Sequence, residues 1–177
     1  MADHRPFATP DYGLARLRVA ASPLYLREAE VRRGVDLLLL GHAQLLRVID
    51  PLLRDAGLGR AHFRMLGHAA RWPGLSMGDL IDLTGTSKQA LTRVARELAD
   101  KGLVTVEPGD RDRRRRELRA TAEGRALVER LDGALLAGVG EAYAGAGQDA
   151  VTGFWRVLEG LVPVPTRMRI AEWEKGR

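Results

Sequence analysis

The sequence contains no cysteine, which excludes disulfide bonds, thiolate metal sites and cysteine-based redox sensing. It also has no apolar run that approaches the roughly 18 residues of a membrane-spanning helix. Residues 1–10 mix charged residues and prolines and carry no apolar signal-peptide segment. We therefore expect a soluble, cytoplasmic protein.

Positive charge exceeds negative charge only modestly, with 28 Lys and Arg against 23 Asp and Glu and a net charge of +5. Most of the basic residues are arginines, the side chains best suited to gripping phosphates and guanine edges. A composition rich in Arg, Ala and Gly is equally typical of a GC-rich genome. Composition alone therefore does not decide between a nucleic-acid partner and none.

At 177 residues the chain is long enough for one well-buried domain with terminal extensions. Proline, glycine and helix-capping residues mark boundaries that divide the chain into five segments. These are an extended arm (1–22), a long helix (23–56), a central domain (57–120), further long helices (121–162) and a tail (163–177).

The long first helix is predicted to begin at Ser22-Pro23, because serine caps free amides and proline suits the first helical position. Pro51 is expected to kink or end it. A second, short helix is predicted over 60–71, ended by the turn at 72–74.

Two capping boxes predict the next two helices. Ser76 with Asp79 opens a short third helix that ends at Gly85, and Thr86 with Gln89 opens a fourth. The inner face of the fourth helix is formed by apolar residues spaced three and four apart, namely Leu91, Val94, Ala95 and Leu98.

Residues 103–107 and 116–120 predict two strands of a hairpin joined by a charged tip, and a capped long helix follows from Thr121. The predicted fold class is therefore mainly α with a small β-hairpin. The order of elements is that of a winged helix-turn-helix flanked by long N- and C-terminal helices. In that fold the fourth helix reads the DNA major groove and the hairpin is the wing.

The outward face of the fourth helix carries side chains that pair with base edges: Gln with adenine, Arg with guanine, and Ser or Thr with either. The predicted DNA-binding residues of this recognition helix are Ser87, Lys88, Gln89, Thr92, Arg93 and Arg96. An ordinary solvated helix face is the alternative.

The tip of the hairpin is strongly basic, and an arginine-bearing finger beside a recognition helix can enter the adjacent minor groove. The predicted wing residues are Arg111, Asp112, Arg113, Arg114 and Arg115. Residues 86–119 contain ten basic and six acidic residues, so this window holds +4 of the net charge of +5. A charge run taken alone is more often a solvated surface.

The stretch 57–124 resembles the MarR family of bacterial transcriptional regulators. The resemblance rests on the joint order of several phrases: Gly74-Leu75-Ser76, Ser87-Lys88, Thr92-Arg93-Val94, Asp100-Lys101-Gly102-Leu103, Asp112-Arg113-Arg114 and Thr121-Ala122-Glu123-Gly124. It implies a triangular homodimer in which the helices of 23–56 and 121–162 form the dimer interface. Such a dimer is expected to bind double-stranded DNA at a pseudo-palindromic operator, with its two recognition helices in successive major grooves. Repression is the expected outcome, because a compact dimer on a promoter excludes polymerase.

In this resemblance Asp112 braces the wing and Arg114 reaches the minor groove. The four consecutive arginines at 113–116 leave the choice of groove-facing residue open, and Gly109 stands where many members carry another Asp. The family commonly binds a small aromatic or anionic effector between the dimer helices and the DNA-binding lobe. His42, His68 and Trp72 are the candidate pocket residues, with simple packing as the alternative.

Other classes of function have little support. The histidines lack the spacing of a metal-ligand pair, no nucleophile, base and orienting group can be assembled, and no cofactor is predicted. We therefore expect no enzyme activity and no metal site. A winged helix used for protein contact or for nonspecific architectural DNA binding is the alternative function.

Overall fold

The computed structural model describes residues 26–109 and 115–175. Its elements, in chain order, are α1 (Glu28–Asp55), α2 (Arg60–Arg71), β1 (Leu75–Ser76), α3 (Met77–Thr84), α4 (Lys88–Asp100), β2 (Val104–Pro108), β3 (Arg116–Ala120), α5 (Ala122–Ala146), α6 (Gln148–Leu161) and α7 (Val164–Lys175). The predicted fold class is confirmed: the molecule is mainly helical with one small antiparallel sheet.

Helix α1 continues one turn past Pro51 to Asp55, so the proline does not end it. Proline removes one backbone hydrogen bond, but Ile49 and Leu53 on either side of it are fully buried and hold this turn against the domain. The helix ends at Asp55, and two residues later Gly57, with a φ of +63°, lets the Leu58 amide donate to the Leu53 carbonyl. The predicted start at Ser22-Pro23 lies outside the described residues.

One core joins the central helices to the sheet. Leu66 of α2, Leu98 of α4, Leu118 of β3 and Leu131 of α5 are completely buried at its centre. Around them lie the other buried apolar residues, among them Ile49, Leu53, Met65, Leu75, Leu80, Leu91, Val94, Val104, Leu127 and Val128. Five helices and all three strands therefore contribute to a single packed interior.

The sheet has three strands in the order β1-β3-β2, one more than the predicted hairpin. The two-residue strand β1 pairs Leu75 with Leu118 and Ser76 with Glu117, while β2 pairs Val104 with Ala120. A two-residue strand is too short to show the alternation that identifies strands in a sequence. Its pairing partner 43 residues away was therefore not predictable from the local pattern.

The C-terminal part of the chain is helical but contributes little to this core. Helix α6 contains no buried residue, and its large apolar side chains, such as Phe154 and Trp155, are exposed in the single chain. Residues 164–175, to which the sequence analysis assigned no secondary structure, form α7. Within residues 26–109 and 115–175, no helix has the length and apolar character required to cross a membrane.

The start of α5 depends on a close approach that only glycine permits. A Cβ on Gly124 would overlap the Leu103 carbonyl oxygen, which accepts a hydrogen bond from the Thr121 amide at 3.1 Å, and would lie 3.1 Å from Leu66. Gly124→Ala should therefore lower the free energy of unfolding by about 1–3 kcal/mol.

Gly133→Ala, farther along α5 where a Cβ would meet no atom within 4 Å, is the matched control. It should raise stability by roughly 0.5–1 kcal/mol, because alanine is the better helix former. Urea denaturation of both variants checks this prediction. Equal stability of the two variants would show that the close approach at Gly124 is absent.

Candidate nucleic-acid interface

Helix α4 has one buried and one exposed face. Leu91, Val94, Ala95 and Leu98 point into the core. All six residues predicted to read DNA are exposed, namely Ser87, Lys88, Gln89, Thr92, Arg93 and Arg96. Five of them, all except Ser87, line a single open depression on the surface. The structure therefore brings the predicted recognition residues together on one solvent-facing surface.

The turn between α3 and α4 fixes the start of the exposed face. Gly85 ends α3 in the left-handed region with a φ of +64°, and its amide donates to the Ile81 carbonyl at 2.8 Å. The side chain of Thr84 folds back onto Leu80, donating to its carbonyl at 2.7 Å. These bonds fix the C-terminal end of α3, from which the short turn into α4 departs.

The N-cap of α4 is Ser87, not the predicted Thr86. The Ser87 hydroxyl accepts from the Ala90 amide at 3.3 Å, whereas the Thr86 amide donates to the Thr84 side chain. Both residue types can cap a helix, so the sequence pattern was ambiguous by one position. As a result, one of the acceptor lone pairs of Ser87 is already in use inside the chain.

A polar network that sequence analysis missed lies behind Arg93. His62 Nε2 lies 2.6 Å from a Glu97 carboxylate oxygen, and the other oxygen of Glu97 lies 3.8 Å from Arg93 Nε. Because His62 Nδ1 accepts from the Gly59 amide at 3.0 Å, Nε2 carries the proton and donates to Glu97. The i, i+4 spacing of Arg93 and Glu97 is a local signal for this pair, but the contact with His62, 35 residues away, is not.

Only the base of the wing is described. Arg111, Asp112, Arg113 and Arg114 lie outside the described residues, so their predicted roles stay predictions. The Gly109 amide donates to the Arg115 carbonyl at 2.8 Å and closes the hairpin at this level.

Arg115, the fifth predicted wing residue, has an internal contact. Its guanidinium donates to the Ser76 hydroxyl at 2.8 Å and to Asp79 at 3.1 Å. Asp79 is also the capping partner of Ser76, accepting from its amide at 3.0 Å. Arg115 therefore joins the wing to the N-terminus of α3, a role that the spacing of the arginines did not indicate.

Two of the three candidate pocket residues are in contact. The rings of His68 and Trp72 stack at 5.4 Å between centroids, and Trp173 of α7 packs against Trp72 at 5.5 Å. His42 lies exposed on α1. Nothing in the local sequence of the tail indicates that Trp173 has this distant partner.

His68 is held in its neutral form. Burial, together with the positive charges of Arg71 and Arg64, lowers the pKa of its imidazole to about 4. Its Nδ1 atom is buried and has no hydrogen-bond partner among the described residues. A protonated ring at this position would carry an uncompensated charge between two arginines.

Comparison with protein families and curated proteins gives consistent results. Residues 56–115 match the model of the MarR family. The HTH-type transcriptional regulator PetP of Rhodobacter capsulatus is 37% identical over 139 residues, which cover 78% of this chain and 84% of PetP.

Solved structures share the fold. CouR from Rhodococcus jostii RHA1, bound to p-coumaroyl-CoA, superposes with a TM-score of 0.62 at 23% identity, covering 72% of this chain and 90% of CouR. A mutant of MarR from E. coli, complexed with operator DNA, gives a TM-score of 0.61 at 21% identity and covers 80% of this chain and all of MarR. At these identities the likeness is one of fold.

The low pKa of His68 makes stability depend on pH. In the unfolded chain this imidazole gains a proton below its ordinary pKa of about 6.5, whereas the folded protein resists protonation down to about 4. Unfolding is therefore favoured increasingly as pH falls through this window. Partial exposure of the ring reduces the expected loss to roughly 1–2 kcal/mol.

Urea denaturation at pH 7, 6, 5 and 4.5 measures this effect. His68→Phe keeps the stacking on Trp72 and should remove this part of the pH dependence. His42→Gln removes an exposed histidine and serves as the control. An unchanged pH dependence in His68→Phe would contradict the assignment.

Proposed function

Since the chain belongs to the MarR family of transcriptional regulators, we propose that it is a sequence-specific repressor that binds a pseudo-palindromic operator as a homodimer. The DNA-binding part of this proposal is supported by the separation of buried apolar and exposed polar residues on α4. Its apolar residues are buried, while Lys88, Gln89, Thr92, Arg93 and Arg96 share one exposed depression. A helix with three cations and two hydrogen-bonding groups on one face matches the major groove.

In this proposal the two recognition helices of the dimer occupy successive major grooves about one helical turn apart. Contacts to phosphates supply most of the affinity and make it dependent on salt. Gln89 and Arg93 supply sequence preference through base edges, and the wings contact the flanking minor grooves. A dimer seated on a promoter excludes polymerase without a further contact, which favours repression.

The homodimer is supported by apolar side chains that the single chain leaves in water. On α1, Leu37, Leu39 and Leu40 are each about 60% exposed. On α6, Trp155 and Val157 are 51% and 62% exposed. Exposed apolar surface of this extent is typical of a protein interface. We assign α1 with α5 and α6 to the dimerisation region and residues 57–120 to DNA binding.

The proposal includes a small effector. CouR is solved with p-coumaroyl-CoA, and the stacked rings of His68 and Trp72 offer a planar surface beside the positive charges of Arg64 and Arg71. A small aromatic or anionic ligand bound there, with His42 reaching it in the dimer, would release the protein from DNA. Loss of DNA binding on addition of such a compound is the test.

Selection of bound sequences from random duplex DNA tests the main proposal. An inverted repeat should emerge, bound about 10³-fold or more above scrambled DNA at one fixed salt concentration. Arg93→Ala should weaken binding to the selected sequence by about 1–3 kcal/mol and relax the preference at one position of each half-site.

Arg130→Ala, on the exposed surface of α5, removes the same charge and is the matched control. It should change affinity much less. If no motif emerges, or if Arg93→Ala weakens binding to scrambled and selected DNA alike, the protein binds DNA architecturally and the proposed specificity is wrong.

Leu39→Glu tests the dimer. It places a charge on an apolar position of α1 that is 62% exposed in the single chain and buried in the proposed dimer. Light scattering should give about twice the 19.4 kDa chain mass for the original protein and a shift toward the monomer for the variant.

Gln44→Glu adds the same charge to the same helix at an exposed polar position, and it should stay dimeric. A monomeric original protein, or equal behaviour of the two variants, would contradict the proposed interface.

A further inference from the structure

Helix α7 is held against the DNA-binding region by a small number of side chains. It is twelve residues long and has no buried residue, and isolated helices of this length are marginal in water. Its partly buried residues, Thr166, Ile170 and Trp173, recur at spacings of four and three and therefore lie on one face. Arg169 lies beside this face, one turn before Trp173. The position of α7 thus depends on what these residues contact.

The ionic contact of α7 is made by Arg169. Its guanidinium donates to Asp82 at 2.6 Å and lies 3.8 Å from one carboxylate oxygen of Asp79. Hydrogen bonding to Asp82 raises the pKa of Arg169, as expected for a charged pair. Asp79 and Asp82 are one turn apart on α3, so Arg169 also offsets the repulsion between two like charges.

Asp79 connects this contact to the wing. Its first carboxylate oxygen faces Arg169, while its second accepts from the Ser76 amide and hydroxyl and from Arg115 at the base of the wing. The carboxylate is mostly buried, with a side chain 12% exposed. One carboxyl group therefore links α7, the N-terminus of α3 and Arg115 at the base of the wing.

The aromatic contact of α7 is made with a residue that precedes α3 in the chain. Trp173 packs on Trp72, which follows α2 and begins the turn into β1. Helix α7 thus contacts the chain just before α3 through Trp173 and α3 itself through Arg169. Helix α3 is the first helix of the helix-turn-helix and packs against α4, so a displacement of α3 would alter the packing of the recognition helix.

We infer that α7 is an intramolecular strap that positions the helix-turn-helix and the base of the wing for DNA binding, with Arg169 and Trp173 as its positioning residues. This inference rests on the proposed function. Neither residue needs to touch DNA. Arg169 acts through Asp79 and Asp82, and Trp173 acts through Trp72.

Charge reversal at two positions of α7 separates this role from a general effect of charge. Arg169→Asp removes the contact with α3. Arg167→Asp changes the net charge equally, at an exposed residue of the same helix. At 25 °C and fixed salt, Arg169→Asp should weaken binding to the selected sequence by about five- to tenfold relative to Arg167→Asp. The double variant Arg169→Asp with Asp82→Arg restores an opposite-charge pair at the original net charge, and it should recover most of the loss.

Hydrogen exchange in the absence of DNA provides a readout that is independent of the proposed function. Arg169→Asp should speed amide exchange in α3 and β1, and Arg167→Asp should not. Equal exchange in the two variants overturns the strap. So does equal DNA affinity of the two variants, or a double variant that recovers nothing.

An original protein that shows no sequence preference overturns the proposed function instead. In that case the exchange measurement still decides whether α7 restrains α3.

Discussion

Burial of one face of α4 is the constraint on which the rest of the molecule depends. Leu98 at the centre of that face is completely buried with Leu66 of α2 and Leu118 of β3, and burying a leucine side chain contributes about 1.5–3 kcal/mol. No rotation of α4 can expose these residues without losing that energy. The polar side chains opposite them, from Lys88 to Arg96, are therefore turned to solvent as a consequence of packing.

Polar links add to this apolar packing and join α4, α3 and the wing to neighbouring elements. His62 ties α2 to Glu97 on α4, and Asp79 ties α3 to Arg115 of the wing and to Arg169 of α7. Each link uses a charged group that is partly withdrawn from water, where an interaction is stronger than on an open surface. The elements assigned to DNA binding are thus connected to one another and to the C-terminus through side chains that do not themselves face the groove.

The single chain is well packed around its central helices and sheet, whereas α6 and the outer parts of α1 and α5 leave apolar side chains exposed. Helix α5 shows the change along its length: Leu127, Val128 and Leu131 are buried, whereas Leu136 is 70% exposed. The apolar positions of α1 before Ile49 and those of α6 follow the same trend. A second copy covering these residues would complete the core that one chain leaves open, which is the physical basis of the proposed homodimer.

The sequence by itself determined the helices α1 to α6, the two strands of the hairpin and the outward face of the recognition helix. Their signals are local: apolar spacings of three and four, capping residues such as Thr121, and stops such as Gly85 and Gly102, where positive φ favours glycine. Only the tertiary structure decided the strand β1, the continuation of α1 past Pro51, and the contacts of His62, Arg115, Arg169 and Trp173. Each of these features depends on a partner at least 35 residues away or on burial by distant elements. Such long-range contacts produce no periodic pattern in the local sequence.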